Sequence, residues 1–247
     1  MMVRCRSIHL PANHQILMSV DLTNWTPCTL PERKVFDGQY VRLEPLDPVS
    51  HTKGLYDASN VSDAETRFRY LYEYPPEDER SFAVWVKKVS LTEDPLYFAV
   101  IDKSTGDVAG RQTLMRIDAA NGCIEIGHIY WGPLVSRKPA ATEALYLFAS
   151  YVFNSLGYRR FEWKCNNSNE PSKRAAVRFG FKQEGTFRQH LIAKGENRDT
   201  AWFSMLDSEW PDLELAYQQW LSPENFDSKG EQVHSLSAFT EKCRVNE

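Results

Sequence analysis

Residues 123–165 read CIEIGHIYWGPLVSRKPAATEALYLFASYVFNSLGYRRFEWKC, and this stretch decides the fold. Cys123–Trp131 is short, rich in β-branched and aromatic residues, and reads as a strand. Leu145, Phe148, Ala149, Val152 and Leu156 then fall at helical intervals, which predicts a helix from about Ala140 to Ser155. Gly157 closes that helix, because glycine adopts the left-handed backbone of a helix end without steric cost. Arg159–Cys165 returns to strand. A strand–helix–strand unit folds as a right-handed crossover with its two strands parallel.

The pattern extends outward on both sides. Upstream, Tyr40–Leu46 reads as a first strand and His51–Ser59 as a short helix. Glu77–Leu91 places Phe82, Trp85, Val86 and Val89 at helical spacing. Leu96–Ile101 and Val108–Met115 form a hairpin about the turn Ser104–Asp107. Downstream, Glu170–Phe179 is a helix with Pro171 in its first turn and Gly180 after its end. Phe181–Leu191 and Arg198–Leu206 pair as strands, and Trp210–Leu221 is an amphipathic helix. This order gives an α+β class: one domain, residues 38–221, with a mixed central sheet of about seven strands flanked by helices. Residues 1–37, with Pro11, Pro27 and Pro31, are expected to be an extended N-terminal arm that Trp25 could pin to the body. Residues 222–247 are expected to be a loose C-terminal tail.

Composition narrows the function classes. Of 247 residues, 42% are hydrophobic and 25% charged, ample for a core. The 29 Lys and Arg against 33 Asp and Glu give a net charge of −4, so no nucleic-acid coat is expected. Five scattered cysteines without a C-x-x-C pair exclude a disulfide framework and a cysteine-rich zinc site, and point to reduced thiols in the cytoplasm. The six histidines show no ligand spacing, so no metal is expected. The most apolar stretch, Ala144–Phe153, is far short of the ~20 residues a membrane span needs.

The chemistry is expected on the loop after Trp131. Gly132–Ala144 carries Arg137 and Lys138 at the start of a helix, where unpaired N–H groups and a partial positive charge suit a phosphate. The small residues Ala140, Ala141 and Ala144 allow close approach; the plain alternative is a βα turn with a solvated basic pair. After the next strand, Asn166, Asn167, Asn169 and Ser172 bring amides and a hydroxyl to the carboxyl edge of the sheet. One of them is needed as a helix cap.

Here the chain resembles the GNAT superfamily of acetyltransferases, most closely the RimJ/RimL-like N-acetyltransferases. The resemblance runs over about residues 39–221. It rests on Glu125–His128, Ala141–Ala144, Asn169 with Ser172, Ala175–Phe181, Glu184–Arg188 and Asp199–Ser204, in family order. It implies an acyl-CoA cleft between the two central parallel strands. Backbone groups of Ile129, Tyr130 and Trp131 would bond the pantetheine arm of acetyl-CoA, the co-substrate. Arg137, Lys138, Ala140, Ala141 and Thr142 would cradle the pyrophosphate, with Asn169 and Ser172 near the thiol. The loop departs from the family pattern: Ser136 stands for Gln or Arg, and Pro139, which has no N–H, for the first glycine.

Acetyl transfer needs a base, an oxyanion donor and an acid for the thiolate. The resemblance points to Glu125 as base, with His128 as the alternative and Ser172 as the hydroxyl beside the sulfur. Strict alternation puts Glu125 and His128 on opposite faces of their strand; a bulge would bring them together. Glu162 and Glu143 are further carboxylates by the cleft, Glu143 being expected to complement the helix dipole. Phe68, Tyr70, Tyr72 and Tyr74, with Trp131 and His190, could wall an acceptor pocket, near Glu65, Glu73 and Glu77. The expected acceptor is the primary amine of a small molecule. Alternatives are a peptide N-terminus, as for a ribosomal-protein acetyltransferase, or a degenerate fold that binds acyl-CoA or a partner without catalysis. The chain would act as a monomer or homodimer, without membrane or nucleic-acid partners.

Overall fold

Eight strands form a single sheet in this computed structural model, which describes residues 21–244. They are β1 (Phe36–Asp37), β2 (Val41–Pro45), β3 (Leu96–Asp102), β4 (Val108–Asp118), β5 (Cys123–Trp131), β6 (Arg160–Asn166), β7 (Lys182–Ala193) and β8 (Glu196–Leu206). The spatial order is β1-β2-β3-β4-β5-β6-β8-β7. Only β5 and β6 run parallel, joined by the crossover that residues 123–165 predict. The helices are α1 (Pro48–Ser59), α2 (Ala64–Phe68), α3 (Glu79–Val89), α4 (Pro139–Ser150), α5 (Glu170–Arg178), α6 (Trp210–Leu221) and α7 (Leu236–Arg244). A π turn, Tyr151–Ser155, extends α4.

Local chemistry sets the helix ends. The Asp47 carboxylate accepts from the N–H groups of Val49 and Ser50, with Pro48 in the first turn of α1. Asn169 caps α5 in the same way through Ser172 N–H. Gly157 and Gly180 follow α4 and α5 at φ 74° and 93°.

The sheet is covered on both faces. One face packs α4, through Phe148, and α6 over Leu43, Phe98, Ile124, Phe161 and Phe203, all without exposure or nearly so. The other packs Leu55 of α1 and Phe82 and Val86 of α3 over Leu46 and Tyr97. On that second face β6, β8 and β7 carry Arg160, Glu162, Lys164, Glu184 and Trp202 in place of an apolar cluster.

The eight strands stand close to the about seven expected, the addition being the short strand Phe36–Asp37 that pairs with Arg42–Leu43. Two residues are too few to show a period; Phe36 holds the pair in place by wedging against Phe98, Phe148 and Tyr151. One expectation needs correction: the segment after residue 221 is not loose among the described residues. A 3-10 turn, Pro223–Asn225, and α7 fold back on α6. Leu236 is fully buried, Phe226 packs on Trp220, and Trp220 Nε1–H donates to Gln232 Oε1 at 2.9 Å. Its apolar residues are spaced too widely to show periodicity and are buried one at a time. Trp25 does pin the N-terminal arm, donating to Ala120 O at 2.7 Å. Residues 1–20 of the expected extended arm lie outside the described residues.

Candidate active site

The ladder between β5 and β6 runs from Cys123↔Arg160 to Ile126↔Trp163 and stops there. Beyond it, Gly127–Trp131 has no partner on β6 and keeps only β4 at its other edge. The two parallel strands thus open toward their carboxyl ends, leaving backbone groups of β5 free along the gap. At the same point β5 carries one residue more than β4, since Thr113 faces Gly127 while Arg111 faces Tyr130. His128 takes the left-handed conformation, φ 45°, that such a bulge requires. Gly127 leaves room there for the Met115 side chain, whose Sδ occupies the space a Cβ would take.

The bulge places consecutive residues on one face. Glu125 Oε1 lies 3.5 Å from the Cβ position of Gly127, and His128 turns to the same side, with its ring 5.5 Å from Tyr97 and 6.0 Å from Tyr72. Glu125 is 3% exposed. Its Oε2 is bonded by Arg116 at 2.7 Å and by Lys164 at 2.9 Å. Lys164 also bonds Glu162 at 2.6 Å, so one buried ammonium bridges two carboxylates at paired register positions. Burial works against the Glu162 carboxylate, but bonds from Lys164 and Arg160 outweigh it and lower its pKa.

His128 Nδ1 is 3.2 Å from Glu73 Oε1, and Arg111 Nη2 is 3.3 Å from Glu73 Oε2. Burial alone would raise the Glu73 carboxyl; Arg111 and His128 reverse this and hold it at about 2, so it is ionised at neutrality. It accepts the Nδ1 proton of His128 and thereby leaves Nε2 as the free acceptor. Around this pair stand Phe68, Tyr130, Tyr97 and Trp85.

The loop before α4 holds its own backbone tightly. Lys138 N–H donates to Val135 O and Ala141 N–H to Lys138 O, while Arg137 sits at φ 63°. Among the described residues, the N–H groups of Arg137 and Ala140 have no acceptor. Lys138 caps α4 without a side-chain bond, Pro139 fills its first position, and both basic side chains are exposed. Ala140, Ala141 and Thr142 are buried. The Thr142 hydroxyl accepts from Arg178 Nη1 at 3.1 Å. Burial lowers the Arg178 pKa, and no described carboxylate pairs with this guanidinium. Asn169 spends its carbonyl on Ser172 N–H, and Ser172 Oγ accepts from Trp163 Nε1 at 3.0 Å. The same hydroxyl also interacts with the Cys165 thiol, so Ser172 stands between the Trp163 indole and that sulfur.

A sequence model of the acetyltransferase (GNAT) domain matches residues 41–182 of this chain. The chain belongs to the GNAT family. A solved GCN5-related N-acetyltransferase from Brucella melitensis is 63% identical, covering 88% of this chain and 99% of that one, with a TM-score of 0.87. A probable acetyltransferase (GNAT family) from Chromobacterium violaceum is 34% identical over 85% of this chain and 100% of that one, at TM-score 0.70. Among curated proteins, YdaF of Bacillus subtilis, whose name proposes a ribosomal N-acetyltransferase, is 29% identical over 159 residues, 64% of this chain and 79% of its own. The protein is an acyltransferase of the N-acetyltransferase type, built as one GNAT domain.

In this GNAT domain the bulge brings Glu125 and His128 to one face, and Tyr72 and Phe68 stand near them. Trp131 does not join that wall. It turns to the opposite face against Trp163 and Phe179, and gives its Nε1–H to Gln112. His190 stacks with Phe187 and Trp202 farther along the sheet. Tyr70 bonds Ser168 O, and Tyr74 is largely exposed. Glu143 leaves the cleft altogether: its carboxylate accepts the N–H groups of Gln39, Tyr40 and Val41 and fixes the start of β2. Gly38 precedes them because a Cβ there would run into that carboxylate. Cys123 and Cys165 carry thiols that burial pushes up, so neither serves as a thiolate near neutrality. The residues the sequence did not reveal are Arg111, Lys164 and Arg178. One signal existed for the first: Arg111, Gln112 and Thr113 are a polar triplet inside a strand, and all three are fully buried.

Proposed function

We propose that this GNAT domain transfers the acetyl group of acetyl-CoA directly to the primary amine of a small molecule. The observation that carries the reading is the bulged strand beside the opened β5–β6 gap, with His128 and its Glu73 partner on the acceptor side. The site fits acetyl-CoA. The free β5 edge suits an amide-containing arm, and the uncapped α4 start with Arg137, Lys138 and Arg178 suits phosphates. The chain keeps three cations there despite Pro139.

An aliphatic amine with a pKa of ~10.4 is mostly protonated at neutrality. His128 Nε2 takes its proton while Nδ1–H stays on Glu73. The backbone N–H groups of the 129–131 stretch that point into the gap, alternate ones along the strand, stabilise the oxyanion as the C–N bond forms. The C–S bond then breaks with its electron pair on sulfur, the remaining extra proton on nitrogen passes to that thiolate to leave the amide and the CoA thiol, and the Ser172 hydroxyl steadies the sulfur. Asn169 holds Ser172 in place as the α5 cap. Glu125 keeps Arg116 and Lys164 in register and offers Oε1 alone to a water or the amine.

Calorimetric titration with acetyl-CoA, CoA and a dephospho analogue tests the first half, and thiol release across an amine panel tests the second. His128→Ala should lower kcat/KM by about 10²- to 10⁴-fold with little change in acetyl-CoA affinity. Absence of binding at millimolar acetyl-CoA would defeat the reading. A second reading, transfer to a peptide N-terminus, draws support from the name YdaF carries. Faster thiol release with short peptides than with free amines would favour it.

A further inference from the structure

Arg111 is fully enclosed on β4, with its guanidinium 4.6 Å from the Trp85 ring and within reach of Phe68 and Tyr130. None of its Nε, Nη1 and Nη2 atoms makes a hydrogen bond among the described residues. Glu73 approaches one edge of the fork without bonding it, and Glu73 Oε2 is likewise unbonded. A second arginine repeats the pattern. Arg198 on β8 is 7% exposed, lies 5.0 Å from the Tyr72 ring and leaves Nε without a partner. Arg111 lies against Glu73 and Arg198 against Tyr72, two neighbours in the irregular segment between α2 and α3. Buried donors are nearly always bonded in folded proteins, so two such arginines on the acceptor side point to an absent acceptor group. A planar fork of N–H donors matches a carboxylate in shape and charge.

We propose that the acceptor is a carboxylate-bearing amine of the amino-acid class, and that Arg111 binds its carboxylate. The proposal rests on the acetyltransfer reading above and names the substrate class for it. Glu73 ties the two recognition points together, since one oxygen reaches His128 and the other Arg111. An amine and a carboxylate on the same or adjacent carbons span that arrangement. The ammonium meets Glu73 and His128, the carboxylate reaches the enclosed Arg111 from the side of Glu73, whose side chain is 19% exposed, and Arg198 adds positive potential from the β8 side. A peptide N-terminus, whose neighbouring carboxylate is an amide, and a simple amine both leave Arg111 unmatched.

The test uses the full chain, acetyl-CoA and matched triplets of free amino acid, its carboxamide and its decarboxylated amine, read by thiol release. The free acid should exceed the other two in kcat/KM by about 10- to 100-fold, the worth of a charge-assisted bond. In Arg111→Met that ratio should fall close to one, and Arg111→Lys should keep part of it. If Arg111→Met does not fold, the wild-type ratios decide by themselves. Equal rates, or preference for the carboxamide or the simple amine, overturn the proposal while leaving acetyl transfer standing. If no amine releases thiol, acetyl transfer fails, and calorimetric titration of the same triplets decides the carboxylate site. Tighter binding of the free acids would support it, and equal binding would overturn it.

Discussion

Replacing Glu73 by Gln removes the carboxylate that stands 3.3 Å from the enclosed Arg111 and 3.2 Å from His128. The Glu73 carboxyl titrates at about 2 in the folded chain against 4.5 as its ordinary value. That difference corresponds to about 3 kcal/mol of folding stability at neutral pH. A depressed carboxyl contributes above its unfolded pKa and loses the contribution as pH falls toward the folded one. Wild type should therefore exceed Glu73→Gln by about 3 kcal/mol at pH 6 and above, and by only about 2 kcal/mol at pH 3.5. In a chain of this size the neutral-pH loss amounts to a fall in Tm of roughly 6–12 °C. The assay is urea unfolding of both proteins across pH 3.5–7, comparing their difference at each pH so that other titrating groups cancel. Adding Arg111→Met to Glu73→Gln should recover part of the loss, because the guanidinium left without a counter-charge is then gone. A neutral-pH difference below about 1 kcal/mol, or one that grows on acidification, would refute the pairing argument.

Lys164→Met leaves Glu125 and Glu162 facing each other at paired positions without the ammonium between them, and should destabilise by about 3 kcal/mol by thermal unfolding. Arg178→Met should weaken acetyl-CoA binding about tenfold by calorimetry, since it removes the cation bonded to Thr142 at the start of α4; unchanged affinity would exclude a phosphate role. Leu236→Ala should cost about 2–4 kcal/mol, the range for emptying a filled core site, whereas a loose tail would register nothing.

The fold was legible in residues 123–165 because the change from strand to helical period and back is long and punctuated by Gly157. The ends were less legible for the opposite reason. Phe36, Phe226 and Leu236 are each buried individually, and single buried residues leave no period to read. Within the site, the family resemblance supplied Glu125, His128, Asn169 and Ser172, but no pattern in the sequence reveals a bulge. Its presence depends on the count of residues on β4 against β5, a property of pairing between strands. Arg111 was hidden because a charged residue in a strand ordinarily marks the solvent face. Its burial depends on Glu73 and the aromatic rings arriving from another segment. Glu143 was misjudged for a related reason: its partners are backbone N–H groups about a hundred residues away.

The extra residue on β5 has a consequence for variation under selection. Gly127 and His128 are neighbours in sequence and share a face, so deleting either one restores strict alternation and an even count against β4 over Gly110–Met115. The left-handed backbone at position 128 would vanish, and the ladder would gain regular bonds. A library screened for thermostability alone should therefore enrich single-codon deletions at 127–128. Those survivors would lose the carboxylate–imidazole arrangement on which the proposed mechanism rests, so acetyl transfer by such chains should fall with it.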